Sequence, residues 1–319
     1  MATSIMAADW LGLIDTPVTR EQAMRVPAVV AARNLICTGL AQGVLKAFKA
    51  DLEVTTPAWM YRTDSDLPPL LRLLWTVDDL FFGGYSVWQV SRGSNRAIGD
   101  AVRVTPNRWT FSAEGVLLVD GQPAKRDDFV VFVGWDEGLL LTGNVSMRAA
   151  LDLQDEVARR VRVPQAHTTL KVVDQSLNLT NGTENPDDNE QQDLVDGFTK
   201  ARQSKTGAVS LLPYGIDVVQ GGEVPVSLYE QGRNASVLDI ARLTGVPASM
   251  LDASAVAASL TYETKSGARP LFNERLRARA AVIEARLSMD DVLPRGQRCV
   301  LDLSHLQTDE TGTPAVTED

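Results

Sequence analysis

The sequence predicts an α+β fold in which helices flank a run of short strands. Residues 21–48, and the stretch from Pro68-Pro69 to Leu80, carry apolar side chains at helical spacing. After Gly83-Gly84 the chain switches to β-branched and aromatic runs separated by Gly, Asn, Asp and Pro. Helical periodicity then returns from Met147. All 6 tryptophans (Trp10, Trp59, Trp75, Trp88, Trp109 and Trp135) lie in the first 135 residues, which puts a substantial core in the N-terminal part. With 319 residues, 44% of them hydrophobic and 23% charged, the chain is long enough for one large or two modest domains.

The formal charge of -10 argues against a protein that coats DNA, which needs a basic surface. It is compatible with a protein that encloses moving DNA without gripping it, because an acidic lining repels phosphate. Cys37 and Cys299 lie in unrelated contexts and are expected as buried free thiols in a reducing compartment. The start of the chain has neither the basic region nor the apolar run of a signal peptide, and no segment approaches a membrane span of about 20 residues. A soluble, cytoplasmic chain is expected.

Residues 21–48 are predicted as one helix, with Val29, Val30, Ala32, Leu35, Ile36, Leu40 and Leu45 on a broad apolar face. Pro68-Pro69 opens a second helix through Leu70, Leu73, Leu74, Val77 and Leu80. YSVWQVSR, AVRVTPNRWTF, GVLLVDG and DFVVFVGW read as strands, and GVLLVDGQPAKRDDFVVF as a hairpin-like pair. Ser146 is placed as the cap of a helix over 147–163, with Met147, Ala150, Leu153, Val157 and Val161 on one face. Its acids, Asp152, Asp155 and Glu156, precede Arg159, Arg160 and Arg162, the order a helix dipole favours. Pro164 ends it, and TLKVVD is a short strand.

The segment NGTENPDDNEQQDLVDGFTKARQSKTG places all its acids before Lys200, Arg202 and Lys205. Its helix offers only Leu194, Val195, Phe198 and Ala201 as apolar positions, too thin a stripe for burial in a core. Two readings fit: a helix packed edge-on against neighbours, as in a ring, or a solvated surface helix. GAVSLLPYGIDVVQGG then reads as two short strands bent at Pro213-Tyr214-Gly215.

The stretch RNASVLDIARLTGVPASML, residues 233–251, reads as a short amphipathic helix stopped by Gly245. Asn234 is placed as its cap, and Leu238, Ala241 and Leu243 form a narrow apolar face. Pro247 removes a backbone donor and biases Val246 away from helical geometry, so the chain turns there. From Pro270 a long helix runs through Phe272, Leu276, Ala280, Ile283 and Leu287. Lys265, Arg269, Arg275, Arg277, Arg279 and Arg286 outnumber Glu274 and Glu284 along it. Such a helix either contacts DNA, or presents a solvated face, or pairs with acidic neighbours. RCVLDLS closes the fold, and the polar, acidic end from residue 306 is expected to be disordered.

The motifs of common enzymes are missing. His167 and His305 are the only histidines and neither has ligand-spaced partners. No CxxC, HExxH or H-x-E pattern points to zinc. No Walker loop and no GxGxxG after a strand points to a nucleotide, and no GxSxG elbow to a hydrolase. The acidic clusters Asp187-Asp188-Asn189-Glu190 and Asp290-Asp291 fall at helix or loop boundaries, where acids cap or solvate. No catalytic residue, cofactor or metal is expected. The enzyme alternative is a magnesium site built from Asp187, Asp188 and Asp290.

In order, these elements resemble the HK97-like and SPP1-like portal proteins of tailed bacteriophages over roughly residues 20–305. The GVP turn followed by the TYET segment and a long helix is the firmest match. ARNLICTGLAQGVLKAF resembles the family's opening helix, GGYSVW and VTPNRW its wing strands, and LTGNVSMRAALDLQDEVARR the opening of a helix after G-x-S. The chain is short for the family and leaves little room for a large C-terminal crown. The resemblance implies a wing over 1–180, a stem helix over 181–206, a clip over 207–225 and a second stem or channel helix with its loop over 226–262. A C-terminal helix and closing strand over 263–305 and an acidic tail over 306–319 complete it.

It further implies a non-enzymatic homo-oligomeric ring of about twelve copies at one capsid vertex, formed in the host cytoplasm with no membrane partner. Double-stranded DNA would pass through its channel, and terminase, head-tail connector and major capsid or scaffold proteins would dock on it. The channel-facing residues would be Ala253, Ser254, Ala255, Val256, Ala257, Ala258 and Ser259. The subunit interface would include Asp193, Leu194, Phe198, Lys200, Arg202, Arg233 and Leu238. The alternative within virion proteins is another ring-forming head-tail adaptor or a minor capsid protein.

Overall fold

The computed structural model describes residues 17–94, 96–162, 167–173, 189–202, 216–221, 226–251 and 265–306. It divides into two compact units, Met1–Leu151 with Asn234–Asp319, and Asp152–Arg233. The described elements begin with helices α1 (Arg20–Ala23) and α2 (Pro27–Ala41), strands β1 (Val44–Lys49) and β2 (Leu52–Val54), and helices α3 (Ala58–Tyr61) and α4 (Pro69–Gly83). Strands β3 (Tyr85–Arg92), β4 (Ile98–Val104), β5 (Trp109–Phe111), β6 (Leu117–Val119), β7 (Gln122–Pro123) and β8 (Phe129–Val133) follow. Then come α5 (Leu139–Thr142), α6 (Asn144–Arg162), β9 (His167–Val172), α7 (Glu190–Arg202) and β10 (Ile216–Gly221). The chain finishes with α8 (Val226–Thr244), α9 (Ala248–Leu251), α10 (Lys265–Leu287) and β11 (Gln297–Asp302). The mixed α+β class is as the sequence predicts.

The single helix expected over 21–48 is broken twice. Val26 precedes a proline and adopts extended geometry, so α1, with its Thr19/Gln22 capping box, stops before Pro27 starts α2. At Gly43 a Cβ would lie 2.8 Å from the Leu301 side chain and 2.9 Å from Leu303. The chain slips past the closing strand there, and Leu45 enters β1 instead of a helix. β1 is the centre of an antiparallel sheet ordered β11-β1-β2, with Leu45 opposite Leu301 and Ala47 opposite Cys299. The outer edge of β11 is covered by α10, whose Glu284 Oε1 accepts from Leu301 N (2.7 Å), and by Ser288 just after it, whose Oγ accepts from Cys299 N (2.8 Å). Covered in this way, the edge offers no template for another strand.

A second sheet, β4-β3-β8, holds Val87, Trp88, Val130 and Phe132 in the core. The hairpin expected over 115–132 is shorter than the sequence suggested. Asp120 (φ 50°) and Gly121 (φ 77°) make a two-residue turn that pairs β6 with β7, in a small sheet with β5. FVVFV instead crosses to pair with β3, because Val130 and Phe132 are 1% and 0% exposed and need that core.

Helix α4 lies against α2 and β3 and carries charge into the interior. Arg72, 2% exposed, donates to the carbonyl of Ala101 and to that of Trp59 (2.7 Å), and its guanidinium lies 4.7 Å from the centre of the Trp88 ring. Asp78 accepts from Arg20 and Arg33, and Asp79 from Ser86 and Arg103. Each buried carboxylate thus has a guanidinium partner, without which its burial would cost several kcal/mol. Cys37 and Cys299 are buried free thiols, as expected.

Three helix starts differ from the sequence reading. α6 begins at Asn144, so Ser146 sits in its first turn rather than capping it. α8 begins at Val226, which makes Asn234 an interior residue and not a cap. α10 begins at Lys265 and contains Pro270 at its sixth position, past the first turn, where a missing N–H removes one hydrogen bond of the helix.

In the unit Asp152–Arg233, β9 and β10 form an antiparallel pair. The first strand expected over 207–222 lies outside the described residues; the second is β10. Among the described residues no helix is long and apolar enough to cross a membrane.

Candidate functional site: the end of helix α8

The GVP turn is where the sequence carries most information, and its construction explains why. Ile240, Ala241, Thr244 and Val246 are buried, and Ile240 and Val246 join the core that contains Phe272 and Leu276 of α10. Thr244 Oγ1 donates to the carbonyl of Ile240 (2.7 Å). Gly245 then takes φ 70°, the left-handed conformation that ends helices and that a side chain disfavours. Its own space is limited too: a Cβ would meet Arg275 Nη1 at 3.2 Å.

The last carbonyls of α8 are claimed by α10. Arg275 Nη1 donates to Gly245 O, and Arg279 Nη2 to Thr244 O at 2.9 Å. The Arg279 guanidinium lies 5.6 Å from the centre of the Trp135 ring. Burial pulls the Arg279 pKa below its ordinary value, while the nearby Asp136 charge opposes that shift. Cations at a helix C-terminus interact favourably with its dipole, so charge and hydrogen bonding act together. Further along α10, Arg286 donates to the carbonyl of Val131 (2.8 Å) and to both oxygens of Asp291 (2.9 Å each). The basic row of α10 therefore includes three arginines that hold the fold. The sequence reading allowed acidic partners for this row but not backbone carbonyls; the signal was a helix-stopping Gly followed by arginines at helical spacing.

Residues 253–259, the expected channel-facing set, lie outside the described residues. Asp193, Leu194, Phe198 and Lys200 all sit on α7, where Leu194 and Phe198 are half-buried four residues apart and Asp193 and Lys200 are exposed. Arg202 is the last residue of α7. Asn189, missed by the sequence reading, caps α7 by accepting from Gln192 N at 3.1 Å. Val195 is 47% exposed, so the stripe on α7 is as thin as the sequence indicates. Arg233 and Leu238 sit on α8, the first exposed and the second half-buried.

Asp187 and Asp188 lie outside the described residues. Asp291 is engaged by Arg286, and Asp290 lies 3.9 Å from Arg295. Among the described residues no group of three His, Cys, Asp or Glu side chains is placed to hold a metal ion.

No protein-family model and no curated protein matches the chain. Solved structures do. An HK97 family phage portal protein from Corynebacterium diphtheriae is similar at 26% identity, covering 91% of this chain and 96% of that one with a TM-score of 0.75. The neck of an empty gene transfer agent particle, with C6 symmetry, matches at 15% identity, 93% and 87% coverage and a TM-score of 0.59. The neck of the native particle, with C12 symmetry, matches at 15% identity, 90% and 86% coverage and a TM-score of 0.56. The GVP turn, the order of the elements and this likeness over almost the whole chain together show the portal-protein fold, similar to that of an HK97 family phage portal protein.

Proposed function

We propose that the chain assembles into a ring of about twelve copies at one capsid vertex, and that double-stranded DNA passes through it during packaging and ejection. The likeness to a portal protein over 91% of the chain carries this reading. The symmetric necks of the gene transfer agent particles support it. So does α7: a helix with so narrow an apolar stripe is marginal alone and gains from burial between rotated copies. Asp193, Leu194, Phe198, Lys200, Arg202, Arg233 and Leu238 are the proposed contacts between copies. Ion pairs among them set register more than stability, since exposed pairs contribute about 0–1 kcal/mol each.

Residues 253–259, small and largely apolar, follow the turn at Gly245 and are the proposed lining of the channel. The charge of -10 per chain suits a duplex that must slide. Terminase would dock during packaging, and head-tail connector proteins afterwards; major capsid or scaffold proteins would hold the ring in the vertex. The wing, stem, clip and channel divisions belong to the same proposal.

Mass photometry and negative-stain microscopy of the purified protein test the ring. Particles near twelve subunits with a hole of about 20 Å, the width a duplex needs, are expected. A chain that stays monomeric at high concentration and with capsid proteins present overturns the reading. Leu194→Asp should abolish rings while leaving the tryptophan emission of the chain, which reports the other unit, intact. Bulky residues at Ala255–Ala258 should reduce packaging in a terminase-driven assay; unchanged packaging would remove 253–259 from the channel.

A further inference from the structure

We infer that Trp135, Asp136, Arg279 and Arg275 form a latch that fixes the direction in which the chain leaves α8, with the exposed indole of Trp135 as its handle. Helix ends are normally satisfied locally, and Gly245 already supplies the left-handed residue for a local cap. Here Gly245 O and Thr244 O also accept from guanidinium groups 30 and 35 residues further along the chain. A local cap only ends a helix. A distant one also ties that end to another element.

The second half of the latch is the loop after β8. Trp135 is 64% exposed, so burial does not account for its placement. Its ring is held instead by Nε1 donating to Asp136 Oδ2 (2.7 Å), while Asp136 Oδ1 accepts from Gly138 N (3.0 Å). In that pose the indole covers the Arg279 guanidinium, and Asp136 adds an attractive charge. A continuous series of contacts then leads from a surface tryptophan, through a half-buried cation, to the carbonyl at the end of α8. Displacing the indole admits water to the guanidinium and weakens its hold on Thr244. A contact made at Trp135 is therefore felt at the turn.

The latch is internal to one chain and does not depend on ring formation. Hydrogen–deuterium exchange on the full-length protein, in whatever assembly state it adopts, tests it. The readout is the set of amides over 245–251, which includes Met250 N bonded to Pro247 O. Arg279→Gln should speed their exchange roughly ten- to a hundredfold, the loss expected for a charged hydrogen bond. Trp135→Ala should speed it about two- to fivefold, and Trp135→Phe less, because the ring stays while its bond to Asp136 goes. Exchange in β3 and β8 should not change. In the double variant the effect of Trp135→Ala should vanish, since it acts only through Arg279. Unchanged exchange over 245–251 in the single variants overturns the latch, as does equal acceleration in β3 or full additivity in the double variant. Trp135 is a surface residue, so its variants carry the test even if Arg279→Gln fails to fold.

Discussion

Gly138→Ala should unfold the N-terminal unit several kcal/mol more easily than the same change at Gly115, although both glycines have left-handed φ. Gly138 has φ 85° and ψ 154°, a combination essentially reserved for glycine, and a Cβ there would lie 2.5 Å from Phe82 O, 2.6 Å from Gly84 N and 2.7 Å from Gly83 C. All three are backbone atoms, so no rotamer change relieves the clash. The loop 134–138 must back away from the α4–β3 junction. That movement breaks the hydrogen bond from Gly134 N to Gly84 O and strains the one from Gly138 N to Asp136 Oδ1. Backbone strain of about 2 kcal/mol and two hydrogen bonds of about 1 kcal/mol each give about 4 kcal/mol. Gly115 has φ 79° with nothing within 4 Å of its Cβ position, so Ala there meets only the left-handed penalty of about 1–2 kcal/mol. Because every tryptophan lies before residue 136, in the unit Met1–Leu151 with Asn234–Asp319, urea unfolding followed by tryptophan emission reads that unit selectively. In thermal melts Gly138→Ala should lose about 10 °C and Gly115→Ala no more than about half of that. Equal losses would show that conformational strain, and not the crossing of two backbones, decides the cost.

Asp291 gives a pH signature. Burial raises its pKa, but the hydrogen bonds and charge of Arg286 outweigh burial and leave it below its ordinary value. A depressed carboxylate contributes stability that is present above its unfolded pKa and lost as pH falls through the folded one. Asp291→Asn should therefore destabilise by less than about 1 kcal/mol at pH 7, since the site is partly exposed, and the difference from wild type should close as pH falls below the ordinary carboxylate range. Burial, together with the charge of Asp78 on Cys37 and of Glu284 on Cys299, pushes both thiols up to about 12. Neither should react with a thiol reagent at pH 8 in native protein, and both should react at once in denaturant; rapid native labelling would contradict their burial. Binding to a short duplex should be weak, with a log–log salt slope shallower than about -2; a slope steeper than about -4 would mean that several phosphates are gripped.

The sequence revealed elements best where the signal is local. YSVWQVSR coincides with β3 because a β-branched and aromatic run follows Gly83-Gly84, although Ser86, Val87 and Trp88 are buried in succession, and the thin stripe of α7 is read as it stands. α4 shows where periodicity fails. Its residues between Pro69 and Gly83 pack on a helix and a sheet at once, so Arg72, Asp78 and Asp79 are buried while Leu70 is 51% exposed. A one-face reading selects the leucines and cannot see that guanidinium partners arrive from Arg20, Arg33 and Arg103, each remote in sequence. The tight passage at Gly43, just past the end of α2, was hidden for a related reason: the side chain that leaves no room for a Cβ there is Leu301, some 250 residues away. The GVP turn was legible because Gly245 and Pro247 act on their own backbone. Its arginine partners were signalled only by their helical spacing after that glycine, and nothing local shows which carbonyls they bond.

Those distant bonds bear on how an acidic chain with a basic helix would meet DNA in the proposed ring. Read as a string, α10 offers a row of arginines to phosphate. In the fold, Arg275 and Arg279 bond the end of α8, and Arg286 bonds Val131 and Asp291. A guanidinium donating to a neutral carbonyl keeps its charge and its other N–H groups, so the exposed Arg275 still attracts phosphate, whereas Arg286 is offset by Asp291. A phosphate that drew Arg275 or Arg279 off its carbonyl would loosen the turn that these side chains hold. Anchoring of the turn therefore opposes a close grip by these side chains, and the net charge of -10 opposes the approach of a duplex as a whole.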